Sequence, residues 1–411
     1  MDTKGSMKKA YTCLGCFIGI SLAIKLILIF KYRNLLSLDS DDLNYIKSAA
    51  VLVKRGIFVF HNYNEPTVFV TPLYPLFLAS IFKLFGWGLM GLQAARVAQA
   101  LISCVTIWVV FLLGKRLFNL RTAVAAAFLT SFYLPNIVTT GYMLTETLFT
   151  ALLCLLIYVS IVFADNPGKL RFVLLGALWA AAVLCRPTIA LYPILLFVYI
   201  LIYHRYKLSR LILYGVMMGL AFILIFMPWW VRNYNDYGQF IPLAASTGNP
   251  MLQGTYINYK QTPENIVYYK LGKNALETDK TEVKTAKRRI AEGFREDFWG
   301  YLRWYTIGKT LSMWISIFYW KAFFGIPLYK VYIFHIIILI GFIGIAAALL
   351  KDFRRYMLPV MVIVYMNIVH CITMAFDRYA FPLLPLLSVF SAYIITDIFL
   401  AVYRSLRTLR K

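Results

Sequence analysis

A helical bundle crossing a membrane about ten times is the fold this sequence predicts, and three observations carry it. Of 411 residues, 61% are hydrophobic and only 15% charged, where soluble domains run nearer one-quarter charged. So apolar a chain lacks the polar surface to cover a water-facing globule. Apolar runs of about 20 residues, enough helix to cross a ~30 Å hydrocarbon core, recur along it. Between them sit short basic clusters: Lys8-Lys9, Lys115-Arg116, Arg205/Lys207/Arg210, Lys351/Arg354/Arg355 and Arg404/Arg407/Arg410/Lys411. That is the positive-inside pattern, with anionic lipid headgroups as countercharge. It accounts for the net charge of +24 without nucleic acid, for which no basic-aromatic binding module is recognisable.

Taken in order, the expected spans cover residues 10–30, 92–113, 121–138, 146–164, 171–186, 188–203, 211–230, 331–350, 356–375 and 380–402. With Lys8-Lys9 inside, the basic clusters at 115–121, 169–171, 204–210 and 351–355 all fall on that same side, as does the C-terminal tail. The first run has no small-residue cleavage site after it and reads as an uncleaved anchor. Cys13 and Cys16 open that run, and all six cysteines lie within or beside apolar runs, so they read as packing residues without a disulfide framework. Residues 303–327 are apolar enough to span. Counting them would put 351–355 outside, so they are expected as a helix in the outer interface, where Trp and Tyr concentrate. The whole of 1–411 then forms one unit with two outer segments. One, 31–91, holds helices at 41–55 and 72–85; the other, 231–330, holds an amphipathic helix around 274–295.

Chemistry is expected in those outer segments. Three of the 18 acidic residues are Asp39, Asp41 and Asp42, just before a helix whose N-terminus favours carboxylates by capping and by its dipole. Capping explains one or two of them; holding all three against a membrane surface points to function. Glu146 opens a span in a turn with no other charge, and is either an acid of the first helical turn or a functional group. Arg186, Arg232 and Arg378 sit at outer span ends, against the orientation bias. Each suits either an anionic phosphate, which a guanidinium grips in a fork, or a lipid headgroup. The four histidines are dispersed without zinc-ligand spacing, and no phosphate-binding glycine loop or nucleophile elbow is present.

Several stretches together resemble the GT-C superfamily of membrane glycosyltransferases, in the group of bacterial protein O-mannosyltransferases and lipid A aminoarabinose transferases. They are Asp41-Asp42-Leu43-Asn44-Tyr45, Thr71-Pro72-Leu73-Tyr74-Pro75, Ala95-Arg96, Thr145-Glu146, Arg186-Pro187-Thr188, Pro228-Trp229-Trp230-Val231-Arg232-Asn233 and Arg378-Tyr379 with Pro382 and Pro385. The resemblance covers most of the chain, best over 36–235. It implies a GT-C bundle with juxtamembrane helices on its outer face, and an active site facing the extracytoplasmic side of the cell membrane. The donor would be a sugar on a polyprenyl phosphate; the acceptor, a glycan, lipid or protein. Asp41 would be the general base, with Asp42 and Glu146 orienting it or the acceptor. Arg186, Arg232 and Arg378 would hold the donor phosphate, and Tyr45 and Tyr74 would support the loop and acceptor. Hard oxygen ligands would suit Mg or Mn, yet many members of that group work without metal, so the requirement stays open. The aminoarabinose transferases carry Lys-Pro-Pro where this chain has Val70-Thr71-Pro72, and Glu is commoner at the position of Asp42, which leaves the sugar unassigned. A secondary transporter or lipid flippase is the alternative with as many spans. It would favour polar groups near the midplane and internal repeats, neither of which is evident.

Overall fold

The computed structural model describes residues 3–408. Of the basic tail, Arg410 and Lys411 and the side chains of Arg404 and Arg407 lie outside what it describes. Among the described residues the fold is all helix. Seven stretches are long and apolar enough to cross a membrane, or eight when one bent pair counts as a span.

Helix α1 (Thr3–Tyr32) is the first crossing and leads through a tight turn into α2 (Asp41–Arg55). The amphipathic α2 buries Asp42, Tyr45, Ser48 and Ala49, a helical spacing that gives it one inner face. It stops at Gly56, whose φ of +68° takes the left-handed cap that a side chain resists. Helix α3 (Leu73–Phe85) follows Pro72 and packs on α2, with the Tyr45 and Tyr74 rings edge to face at 5.0 Å. Helices α4 (Leu89–Leu117) and α5 (Leu120–Phe132) form the next hairpin, the second capped by the Asn119 side chain on the Arg121 and Thr122 amides. The expected span 121–138 is broken: α5 and the short α6 (Leu134–Val138) meet at 61°, where Pro135 begins a new helix.

Helices α7 (Glu146–Asp165), α8 (Lys169–Cys185), α9 (Tyr192–Tyr199) and α10 (Leu208–Tyr237) complete the first half. Helices α8 and α10 lie backbone to backbone at Gly176, where a Cβ would come within 2.2 Å of the Met218 carbonyl. Small residues at such crossings are the usual means by which membrane helices approach closely. The opposite face of α10 exposes Leu220, Leu224 and Val231, as a lipid-facing surface should.

The long segment beyond Tyr237 carries α11 (Gly248–Gln253), α12 (Ala275–Glu296), α13 (Phe298–Arg303) and α14 (Lys309–Trp314). Here the structure differs from expectation. The helix expected across 303–327 ends at Trp314, and Ile315–Pro327 is an irregular strap. Tyr319 explains the difference: its hydroxyl takes the Phe323 amide at 2.7 Å and donates to the Ile326 carbonyl at 2.9 Å, folding the chain back on itself.

Helices α15 (Leu328–Leu339) and α16 (Gly341–Ile372) form one apolar stretch of 45 residues. At about 1.5 Å per residue that is twice a membrane's thickness. The helix breaks at Asp352, with φ −158° and ψ 83°, and the two arms run in opposite directions. Lys351 lies over Tyr393 and Arg355 reaches the Arg116 carbonyl, whereas Asn367 bonds Trp314 and His370 stacks on Tyr379. Two crossings result, as the spans 331–350 and 356–375 anticipate. Helices α17 (Asp377–Ala380) and α18 (Leu384–Thr408) close the bundle, with Gly344 pressed on the Phe390 carbonyl. The span ends away from α2 gather Arg116, Asp165, His204 and Arg355. This matches the basic clusters sharing one face.

Candidate active site

At the other face, four segments far apart in sequence supply one charge cluster. The turn before α7 brings Thr145 and Glu146, and α8 ends in Arg186, which leaves helical geometry ahead of Pro187. The Arg186 Nε donates to the Thr145 hydroxyl at 2.8 Å and its Nη2 pairs with Glu146 Oε1. Arg378, on α17, donates from Nε to that same Oε1 and from Nη1 to Asp41 Oδ2 at 2.7 Å. Arg378 therefore bridges two carboxylates, and Glu146 bridges two guanidiniums.

Exposure separates the roles. The Glu146 side chain is fully buried, those of Arg186 and Arg378 nearly so, while that of Asp41 is 43% exposed. Four buried or half-buried charges of opposite sign cancel, which makes their burial tolerable. Each guanidinium keeps a nitrogen, Nη1 of Arg186 and Nη2 of Arg378, without a hydrogen bond among the described residues. Asp41 keeps Oδ1 in the same condition. Asp41, Glu146, Arg186 and Arg378 are thus brought together, so the acids and arginines do not stand apart as an inert scaffold would have them.

Asp42 is placed differently from its neighbour. Fully buried, it accepts the Ser37 hydroxyl at 2.6 Å and the Leu38 and Ser40 amides, each at 2.9 Å. It is the group that shapes the start of α2, and its oxygens are occupied. Asp39 stays at the surface with Ser37 and Lys321. Arg232 does not reach the cluster. Its donors go to the Thr67 and Phe58 carbonyls at 2.5 and 3.2 Å and to Asp236 at 2.7 Å, pinning α10 to the loop before α3.

A brace lies beneath the cluster, built on Arg96 and Gln99, to which the sequence assigns no role. Arg96 donates to the Gly141 and Leu36 carbonyls, both at 2.9 Å, tying the turn before Glu146 to the turn before Asp41. Gln99 holds the Thr140 and Tyr142 carbonyls and accepts the Tyr74 hydroxyl at 2.9 Å. Tyr45 and Tyr74 are buried here, and burial pushes both phenols up, keeping them neutral. They support the loop from below. Lys309 is another residue to which the sequence assigns no role. Buried on α14, it donates to the Cys371 and Thr373 carbonyls at 2.9 and 2.7 Å and lies 3.6 Å over the Tyr305 ring. It thereby fixes the end of α16, just ahead of Arg378. Burial pulls its ammonium down to about 7, against the two carbonyls and the ring, which favour the charged form.

Among the described residues no three His, Cys, Asp or Glu side chains gather as a metal site would require. Asp41 and Glu146 face arginines, and Asp42 is filled by three donors.

Fold and site together define an all-helical membrane protein with one charge cluster at its span ends. Residues 67–231 match the family model described as dolichyl-phosphate-mannose-protein mannosyltransferase. The archaeal oligosaccharyltransferase of Archaeoglobus fulgidus in its apo form is 14% identical with a TM-score of 0.57, covering 96% of this chain and 52% of its own. The archaeal oligosaccharyltransferase AglB from Archaeoglobus fulgidus, in complex with an inhibitory peptide and a dolichol-phosphate, is 15% identical at TM-score 0.57, covering 98% of this chain and 52% of its own. ArnT from Cupriavidus metallidurans bound to undecaprenyl phosphate is 18% identical at TM-score 0.42, covering 92% and 77%. The chain thus spans about half the length of the oligosaccharyltransferase. No curated protein sequence matches it significantly.

Proposed function

We propose that this protein transfers a sugar from a polyprenyl-phosphate donor to an acceptor hydroxyl, with inversion, on the extracytoplasmic side of the membrane. The observation that carries the reading is the half-exposed Asp41 held by Arg378 beside two buried guanidiniums, each with a donor to spare. Asp41 Oδ1 takes the proton of the acceptor hydroxyl once that group lies within about 3 Å. The acceptor oxygen bonds to the anomeric carbon from the face opposite the lipid phosphate. The bond from that carbon to the phosphate oxygen breaks, and the lipid phosphate leaves with the electron pair. The free nitrogens of Arg186 and Arg378 stabilise that anion, which needs cationic contact more than it needs a proton. Glu146 keeps both guanidiniums aimed, and no step requires a metal.

The family match and the dolichol-phosphate carried by a protein of like fold support a lipid-linked donor. The charges sit at span ends rather than at the midplane, which favours transfer over transport. In membranes supplied with labelled polyprenyl-phosphate sugars, Asp41→Asn is expected to fold and express as wild type and to lose at least ~100-fold in rate, as removal of a general base does. Full activity in that variant would sink the mechanism.

A further inference from the structure

The strap Ile315–Pro327 is tied to two of the segments that carry the cluster. Lys321 pairs with Asp39 at 3.4 Å, two residues before Asp41, and the Phe324 amide donates to the Tyr32 hydroxyl at 2.7 Å. At the second segment Trp320 Nε1 donates to Asp377 Oδ2 at 2.9 Å, while Asp377 Oδ1 accepts the Arg378 amide at 2.7 Å. The buried Phe318, Tyr319 and Phe323 anchor the strap beneath.

Trp320 itself is 47% exposed. Phe376 stacks near one side of the indole, with ring centres 6.0 Å apart and planes at 22°, and Phe318 meets it edge-on at 5.0 Å. No third aromatic ring among the described residues touches it. The indole is therefore fixed by a hydrogen bond and two rings, with a face left open beside the residue pair that holds Asp41. A rigid indole face next to charged groups suits a pyranose ring. Such a ring presents a patch of C–H groups to the aromatic face and its hydroxyls to the polar rim. An interfacial Trp anchor, the commoner use of exposed tryptophan in membrane proteins, would not need Nε1 committed to the acid beside Arg378.

We propose that Trp320 is a stacking surface for a hexose ring, of either the lipid-linked donor or the acceptor, beside Asp41. This rests on the transferase reading and adds a sugar contact to it. The test is direct binding by the purified full chain in nanodiscs. The probes are bare short-chain polyprenyl phosphate, the same lipid carrying mannose, glucose or galactose, and a soluble mannobiose. If the ring belongs to the donor, wild type binds one sugar-bearing lipid better than the bare lipid by about 3- to 10-fold, and Trp320→Ala erases that margin. If it belongs to the acceptor, Trp320→Ala weakens mannobiose by a similar factor and leaves the lipids alone. Trp320→Phe, which keeps a ring and drops the bond to Asp377, should retain most of the margin in either case. Equal loss of bare and sugar-bearing lipid in Trp320→Ala overturns the proposal, as does no change for any probe. A wild type that binds bare lipid, gains nothing from any sugar attached to it and does not bind mannobiose also overturns it, leaving the transferase reading intact. Wild type that binds none of the probes overturns both.

Discussion

Glu146 and Asp41 are both carboxylates held by Arg378, yet they should fail differently when neutralised. Glu146 is the sole anion between two nearly buried guanidiniums. Glu146→Gln leaves a pair of buried positive charges facing one another, a change of the kind that costs about 3–5 kcal/mol. A loss of folded protein on mild heating, together with loss of transfer, is the expected outcome. A Glu146→Gln variant as heat-stable as wild type would show that the pair is not held as described. Asp41 is 43% exposed, so water replaces what its neutral variant loses, and only the chemistry suffers. Much of this was legible: the sequence picks out all four members of the cluster, because charge at a span end is rare enough to notice. Their pairing was not legible, since nothing local connects residue 41 with 378. Arg232 carried a warning that could have been read: Asp236 lies one helical turn on, a ready partner.

At the scale of the helix, α2 shows why adjacent aspartates part company. A helical turn rotates neighbours by about 100°, so Asp42 points inward with Tyr45 and Ala49 while Asp41 faces the cluster. Asp42→Ala removes the acceptor for one hydroxyl and two amides, and a loss of about 1–2 kcal/mol is expected from its capping role. The folded fraction should still transfer sugar at a rate within several-fold of wild type. An Asp42→Ala protein as stable as wild type but inactive would reverse the assignment of the two acids. The boundaries of α2, α3 and α12 follow from Gly56, Pro72 and Asn274, local signals that the sequence displays. The strap had no such signal. Its aromatic richness reads as an apolar helix, and only the folded chain reveals that Tyr319 spends its hydroxyl bonding Phe323 and Ile326.

Across the whole molecule, Lys309 joins the long outer segment to the bundle. Its folded pKa of about 7 lies below the 10.5 of an unfolded lysine. Below pH 7 the fold bears the full cost of a buried ammonium; as pH rises from about 7 toward 10.5 that cost is relieved, because only the unfolded chain retains the proton. Wild type should therefore gain thermal stability between pH 6 and pH 9. Lys309→Met should lack that increment and so show its larger deficit at pH 9, measured by thermal denaturation in detergent. A deficit equal at pH 6 and pH 9 would mean the lysine stays charged throughout, held by the two carbonyls and the Tyr305 ring. The bundle itself was readable in outline from apolar runs and basic clusters. The 61° break between α5 and α6 was not, because Pro135 sits in a run whose composition alone passes for one span.

The ion pair between Asp41 and Arg378 spans 337 positions, and that separation has a bearing on how the protein is made. A ribosome feeding the chain into a membrane delivers Asp41 near the start and Arg378 near the end. For most of synthesis Glu146 has Arg186 as its one counter-ion, and Asp41 has none. The hairpin that turns at Asp352 is made just before Arg378 arrives to join the two halves. On the transferase reading, the charge cluster is completed only after most of the spans have been made.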